Sequence, residues 1–382
     1  METVVFMEKK LKIAMLGQKH VLSNEGGVEK VVREISTRLV RLGCDVTCYD
    51  RRTKHVMNSE ENLSTLSEYE GVKIKSCITI DKKGLAAVSS SFFATLKILF
   101  SDVDVVHFHA EGPSAMIPII KFFSKKKIIA TIHGLDWKRD KWGTGFASRY
   151  IKFGEKMVAK YADEIIVLSD GVKKYFEETY NRDTHFIPNG VSRPEVLSSN
   201  IIGSKYSLKK DDYFLFLGRI VPEKGIHYLI DAYNQISTNK KLVIAGGASD
   251  TDSYYEEVKR KAQNNKNIIF TGFVQDQELD ELYSNAYVYV LPSDLEGMPL
   301  SLLEAMSYGN CCVTSDIEEC VTVMEDCGIT FKKGEIQDLS QVLQRLNDNV
   351  NLVKKTKSES TQFILKKYNW DDIVDRTLNL YH

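Results

Sequence analysis

The sequence predicts an α/β fold of two doubly wound, Rossmann-like domains facing each other across a cleft. Three observations predict it. Strand, glycine-containing loop, helix and strand follow one another at the start of the chain; the same grammar restarts in the second half; and a stretch rich in Pro, Asn, Gly and Ser, from Pro188 to Asp212, separates the two. Such alternation calls for parallel sheets covered by helices, and ligands then sit at the C-terminal ends of the strands, in the cleft.

In the first half, Ile13–Leu16 is a short apolar run, and an amphipathic pattern runs from about Val28 to Leu42 with Gly43 as its stop. Val46–Tyr49 is the next strand, closing a βαβ unit. Val103–Phe108, a helix near Ser114–Phe123, Ile128–Ile132, a helix at about Phe146–Tyr161 and Glu164–Leu168 continue the series. After the turn signals Asn189-Gly190 and Arg193-Pro194, strands are expected at Phe214–Leu217, Leu242–Ala245, Ile268–Phe270 and Tyr287–Leu291. Helices at Gly225–Ser237, Ser253–Gln263, Gln277–Ser284 and Leu300–Tyr308 alternate with them. The expected division is 1–195, 205–365 and a terminal helix, 366–382, crossing back to the first domain.

Composition narrows the function. The 382 residues carry 51 Lys+Arg against 52 Asp+Glu, and 43% are hydrophobic. Disorder needs low hydrophobicity and high net charge, and a dedicated nucleic-acid binder shows a basic excess, so both are disfavoured. Ala115–Phe123, interrupted by Pro118 and Lys121, falls far short of the ~20 apolar residues that span a bilayer. Seven cysteines without a CxxC pair fit neither a disulfide framework nor a zinc site. With no secretory pattern in Met1 to Lys10, the expected compartment is a reducing cytosol.

The residues suited to chemistry fall on the loops after strands. Glu25-Gly26-Gly27-Val28 opens the first helix, where glycines admit a ligand and free amides attract phosphate; a tight turn explains the pair equally well. GxGxxG is missing, which counts against a nicotinamide enzyme. In Gly218-Arg219-Ile220-Val221-Pro222-Glu223-Lys224-Gly225 two cations can clamp a pyrophosphate, the plain alternative being solvated surface charge. Glu296 precedes a helix, Glu304 lies on its otherwise apolar face, and Gly297, Met298 and Leu300 open backbone amides between them.

These segments resemble a retaining GT-B glycosyltransferase of family 4 along essentially the whole chain. The specific motifs are Gly218-Arg219…Lys224-Gly225 and the pair Glu296/Glu304; Met15–Lys19 with Glu25–Glu29, and Thr131–Trp137, resemble bacterial polysaccharide-assembly members, including rhamnosyltransferases. The resemblance implies that Arg219 and Lys224 hold the donor diphosphate, Glu296 the transferred sugar and Glu304 the ribose. Gly297, Met298, Leu300, Gly26 and Gly27 would offer amides to phosphate or the reacting centre. Gly246 fits close approach to the nucleoside, and Phe273 and Val274 belong to the loop the family uses for the base. In Val106-His107-Phe108-His109, alternation puts both histidines on one side; the family places the second, His109, near the donor sugar, and a core or metal-ligand pair is the alternative.

The implied catalytic set is His109, Arg219, Lys224 and Glu296. His133, Trp137 and Arg139 are acceptor-side candidates, and no metal or other cofactor is expected, the nucleotide sugar being a substrate. Asp102-Val103-Asp104 precedes a strand and is read as strand-entry charge, not a metal-binding motif. Two runs that interleave aromatic and basic residues, Lys121–Lys127 and Trp137–Trp142, suit either an anionic bilayer or plain solvation. The expected activity is hexosyl transfer from a UDP, dTDP or GDP sugar to a hydroxyl of a lipid-linked glycan in surface polysaccharide assembly. Rivals are a nucleotide-sugar epimerase and a binding protein without transfer activity.

Overall fold

The computed structural model describes residues 10–24, 26–52, 66–82, 84–138, 145–248 and 252–382. They form two units: one holds the described residues up to 138, then 145–188 and Trp370–His382, and the other holds Asn189–Asn369. The division falls at Pro188, a few residues before 195, because Val191 already bridges Asn369 and its N–H donates to Tyr368 O.

The first unit is an eight-stranded sheet of β1 (Lys12–Leu16), β2 (Asp45–Arg51), β3 (Glu68–Tyr69), β4 (Val72–Cys77), β5 (Val105–His109), β6 (Lys127–Ile132), β7 (Glu164–Val167) and β8 (His185–Phe186). Their order is β3-β4-β2-β1-β5-β6-β7-β8, parallel throughout except for the β3–β4 hairpin. Ile13 to Leu16 are at most 1% exposed, as a central strand covered on both faces requires. Helix Gly27–Arg41 covers one face beside Trp370–Asn379, where Arg38 bonds Asp371 at 3.0 Å and lies 5.8 Å from the Trp370 ring centroid.

The second unit orders β9 (Tyr213–Leu217), β10 (Lys241–Ala245), β11 (Ile268–Gly272), β12 (Val288–Leu291), β13 (Cys311–Ser315) and β14 (Ile329–Phe331) as β11-β10-β9-β12-β13-β14, all parallel. In each sheet the strand order reverses beside the unit's first strand, between β1 and β5 and between β9 and β12. These are the switch points where an open α/β sheet leaves a crevice.

Local differences have local causes. The helix expected near Ser114–Phe123 is two, Glu111–Ser114 and Ile117–Phe123, the second opening with Pro118 in its first turn. β5 starts at Val105, not Val103, because the Asp104 carboxylate accepts the Lys12 N–H at 3.0 Å and Asp102 pairs with the Lys12 ammonium. Gly225 adopts φ +64°, so the following helix begins at Ile226. All seven cysteines are free thiols, six of them buried. Among the described residues no helix is long and apolar enough to cross a membrane.

Candidate active site

In the second unit the three loops after β9, β10 and β11 are laced together by main-chain bonds. Gly218 N donates to Ala245 O, Ile220 N to Gly247 O and Gly246 N to Gly272 O, all at 2.9–3.0 Å. Gly246 has φ +146° and a Cβ there would stand 1.8 Å from Gly218 O, so only glycine fits. Across the switch point, a Cβ on Gly225 would meet Pro292 O at 2.0 Å, and Asp294 N donates to Glu223 O. The backbone therefore holds the Arg219–Gly225 loop against the Pro292–Leu300 loop.

The side chains on that platform are ionic. Lys224 Nζ lies 2.5 Å from Glu296 Oε1, and Ser293 Oγ donates to the same oxygen at 2.6 Å. With the two ionic side chains 13% and 8% exposed, the pair is poorly screened. Ser293 is fixed in turn by Ser315, whose hydroxyl donates to Ser293 O. Glu296 thus does not cap the helix at Leu300; it neutralises Lys224. Among the described residues Arg219, half-buried, has no ion pair or side-chain hydrogen bond, which leaves its guanidinium available.

Helix Leu300–Ser307 begins after Pro299 with no side-chain cap, so first-turn amides stay open toward the end of β12. Glu304 has the partner its apolar face demands: Tyr283, fully buried, donates its hydroxyl to Glu304 Oε2 at 3.1 Å. Burial, then the Glu304 charge, pushes that phenol well above the ordinary range, so it stays a donor. Met298 accepts the Asn189 N–H on its sulfur, and Gly297 is buried. Phe273 is 54% exposed on the loop after β11, and Val274 is buried beneath it.

In the first unit the site is a stack of imidazoles. His107 and His109 lie with ring centroids 4.2 Å apart, both on the face that alternation assigns them, and His133 stacks on His109 at 5.4 Å. His109 Nδ1 is 3.1 Å from His133 Nε2, while its own Nε2 is buried without a partner among the described residues. Burial, reinforced by the other rings, pushes His109 well below the usual histidine range and His107 down to about 3, so both are neutral at physiological pH. His109 is fully buried; the half-buried member of the set is His133. Gly17, φ +126°, lets β1 end against β5, since a Cβ would stand 2.2 Å from His109 O.

Gly26 is the extended N-cap of helix Gly27–Arg41, and no side chain caps it. Glu29 folds back to accept the Lys19 N–H at 2.9 Å, tying the loop to its own helix. Trp137 is anchored rather than presented: its indole N–H donates to Glu155 Oε2 at 2.8 Å and Lys152 covers its ring at 4.0 Å. Tyr175 and Tyr180 both donate to the other oxygen of Glu155. Arg139, like Glu25 and Trp142, lies outside the described residues. Glu111, two residues past His109, is wholly buried, and desolvation followed by nearby Asp136 pushes its carboxyl well above the usual range. Among the described residues no group of three His, Cys, Asp or Glu is placed to hold a metal ion.

Sequence reasoning marked His109, Lys224 and Glu296 but missed three supports. Ser293 is the first hydroxyl after a strand, a signal that was readable; Tyr283 and Tyr381 reach the site from distant helices and leave no local trace.

Residues 199–363 match the family model described as Glycosyl transferases group 1, and residues 25–193 match Glycosyltransferase Family 4. The O-antigen chain mannosyltransferase RfbU of Salmonella typhimurium is 30% identical over 215 residues, covering 53% of this chain and 60% of that protein. Its name specifies mannose, where the motifs resembled rhamnosyltransferases. Sucrose-phosphate synthase from Thermosynechococcus elongatus superposes with a TM-score of 0.83 at 19% identity, covering 98% of both chains. Anabaena HepE, solved with UDP and glucose, gives 0.80 at 16% identity over 97% of this chain and 98% of that one. With both halves matched and the whole chain superposing on such structures, the protein is a glycosyltransferase of the group 1/family 4 type with the GT-B fold.

Proposed function

We propose that the protein transfers a hexose from a nucleotide-diphosphate sugar to a hydroxyl of a lipid-linked glycan, with retention of configuration, in bacterial surface polysaccharide assembly. The observation that carries the reading is the pairing of Lys224 with Glu296 beside Arg219, which has no ion pair among the described residues, next to uncapped helix amides at the switch point of the second sheet. A diphosphate arriving there gains three kinds of donor at once. Lys224 has three N–H groups and can keep Glu296 while reaching a phosphate. Arg219 supplies a bidentate fork, and the amides of Met298 and Leu300 supply oriented dipoles.

As the bond from the anomeric carbon to the diphosphate oxygen lengthens, negative charge grows on the leaving group, where these donors are already fixed. The sugar gains oxocarbenium character, the acceptor oxygen attacks from the face the diphosphate leaves, and a phosphate oxygen takes the acceptor's proton. Glu296 orients the sugar and Glu304 the ribose, with the base near Phe273, Val274 and Gly246. In the first unit Gly26 and Gly27 leave helix amides open to an anionic group. In the same unit the neutral, buried His109, hydrogen-bonded to half-buried His133, offers a hydrogen bond without adding a charge. HepE, which binds UDP and glucose, supports the donor class, and RfbU supports the polysaccharide setting. Phe122 and Phe123, 65% and 76% exposed beside exposed Lys125, support peripheral contact with a cytoplasmic membrane face.

A thermal-shift panel of UDP, dTDP and GDP sugars tests the donor class, since a ligand at 100 times its Kd adds about 2.7 kcal/mol. No shift with any of them would sink the reading. Conversion of a donor with no acceptor present would replace transfer by epimerisation.

A further inference from the structure

We infer that Tyr381 is a positioning residue for the imidazole stack: its hydroxyl fixes the ring of His107, and His107 fixes His109 by stacking. The inference rests on the proposed transfer for its catalytic meaning, but its geometry stands by itself.

Tyr381 follows the helix Trp370–Asn379, which belongs to the first unit although the residues just before it belong to the second. Its side chain is buried, and its hydroxyl lies 2.7 Å from His107 Nδ1 with the two rings edge to face. The opposite nitrogen, His107 Nε2, lies 2.7 Å from Thr131 Oγ1 on β6. Both ring nitrogens are therefore held, and the imidazole cannot rotate.

The proton assignment follows from satisfying buried groups. Among the described residues Tyr381's hydroxyl has His107 as its sole partner, and a buried phenol that only accepted would leave its own O–H unmet. Tyr381 therefore donates to Nδ1, and the neutral ring donates from Nε2 to Thr131. His109 is restrained far less. Among the described residues one hydrogen bond reaches its Nδ1 and none reaches its Nε2, so stacking restrains the ring, most closely the 4.2 Å stack on His107. A displaced His107 would let His109, and with it His133, rotate away from the geometry transfer needs.

The test uses the full chain labelled with 15N on its eight histidines. Tyr381→Phe should move the imidazole nitrogen signals of His107 and His109 and leave those of His185 and His227 in place. With UDP-glucose as probe donor, kcat should fall about tenfold with KM changed less than about twofold. His107→Gln keeps a donor for Thr131 and loses the Tyr381 bond, so adding Tyr381→Phe to it should cost no further turnover. Unmoved His109 signals, even with a lower melting temperature, would mark Tyr381 as structural and overturn the inference. So would a double variant slower by the product of the two single effects. The ligand-free spectra decide the matter whether or not UDP-glucose is turned over, and absence of turnover with every nucleotide sugar would count against the proposed function alone.

Discussion

At the ends of β5 and β6 the first unit stacks three imidazole rings, two of them wholly buried and neutral; beside the end of β12 the second collects a lysine, a carboxylate and open main-chain N–H groups. Both places are switch points of parallel sheets, built by glycines that let two strand ends approach. The chemistry differs because burial is met differently. In the first unit a wholly buried ring stays neutral. In the second, largely buried ions neutralise each other until a stronger partner arrives. One site is suited to orienting a hydroxyl, the other to absorbing negative charge.

Removing the charge should break the comparison most severely. Arg219→Ala with Lys224→Ala should lower turnover by about 10³-fold or more, since single preorganised donors already contribute about 10²–10³. Turnover within tenfold of the parent in a radiolabelled-sugar assay would discard the clamp. Next come the glycines that both sites share. Gly17→Ala and Gly225→Ala each force a Cβ to within 2.2 Å of a carbonyl at positive φ, and each should cost about 3 kcal/mol in urea denaturation. A loss below about 1 kcal/mol at either would show that the strand ends can part.

Proton linkage sharpens the contrast within the first unit. His107 sits at about 3 when folded and near 6.5 when unfolded, so its contribution is present above pH 6.5 and is lost as pH falls toward 3. Asp50, buried at the end of β2 and pushed up to about 7, works the other way: its contribution is full below about pH 3.9 and lost as pH rises through 7. Asp50→Asn should therefore steepen the loss of stability from pH 6.5 to 4 by up to about 1.4 kcal/mol per unit. Parallel stability curves for the two proteins would refute it. The smallest effect is expected at Trp137→Phe, which deletes one of three donors to Glu155 and should cost about 1–2 kcal/mol by thermal melt.

Much of this was legible beforehand. Strands such as Lys12–Leu16 and helices such as Phe146–Tyr161 carry strong apolar patterning, and alternation alone put His107 and His109 on one face. Helix Leu85–Leu99 escaped because its serines, alanines and phenylalanines give no polar face to read. β13, β14 and the helices from Glu318 to Lys367 escaped as well, the two strands being short. At the site, sequence marked Lys224 and Glu296 separately, but their pairing depends on loops 72 residues apart, set by Gly225 against Pro292. Tyr381 lies 274 residues from His107, and no periodicity spans that distance.

The helix Trp370–Asn379 has a further consequence, in the order of folding. The first unit's sheet is complete at Phe186, yet the helix and tyrosine that cover Gly27–Arg41 and His107 arrive only after the whole second unit has been made. At about 5–20 residues per second, the roughly 180 intervening residues take on the order of 10–40 seconds of synthesis. For that interval the nascent first unit lacks the helix over Gly27–Arg41, and His107 keeps its Thr131 bond but not its tyrosine. A chain released before Trp370 would keep every residue of the proposed nucleotide site and still leave His107 without its tyrosine.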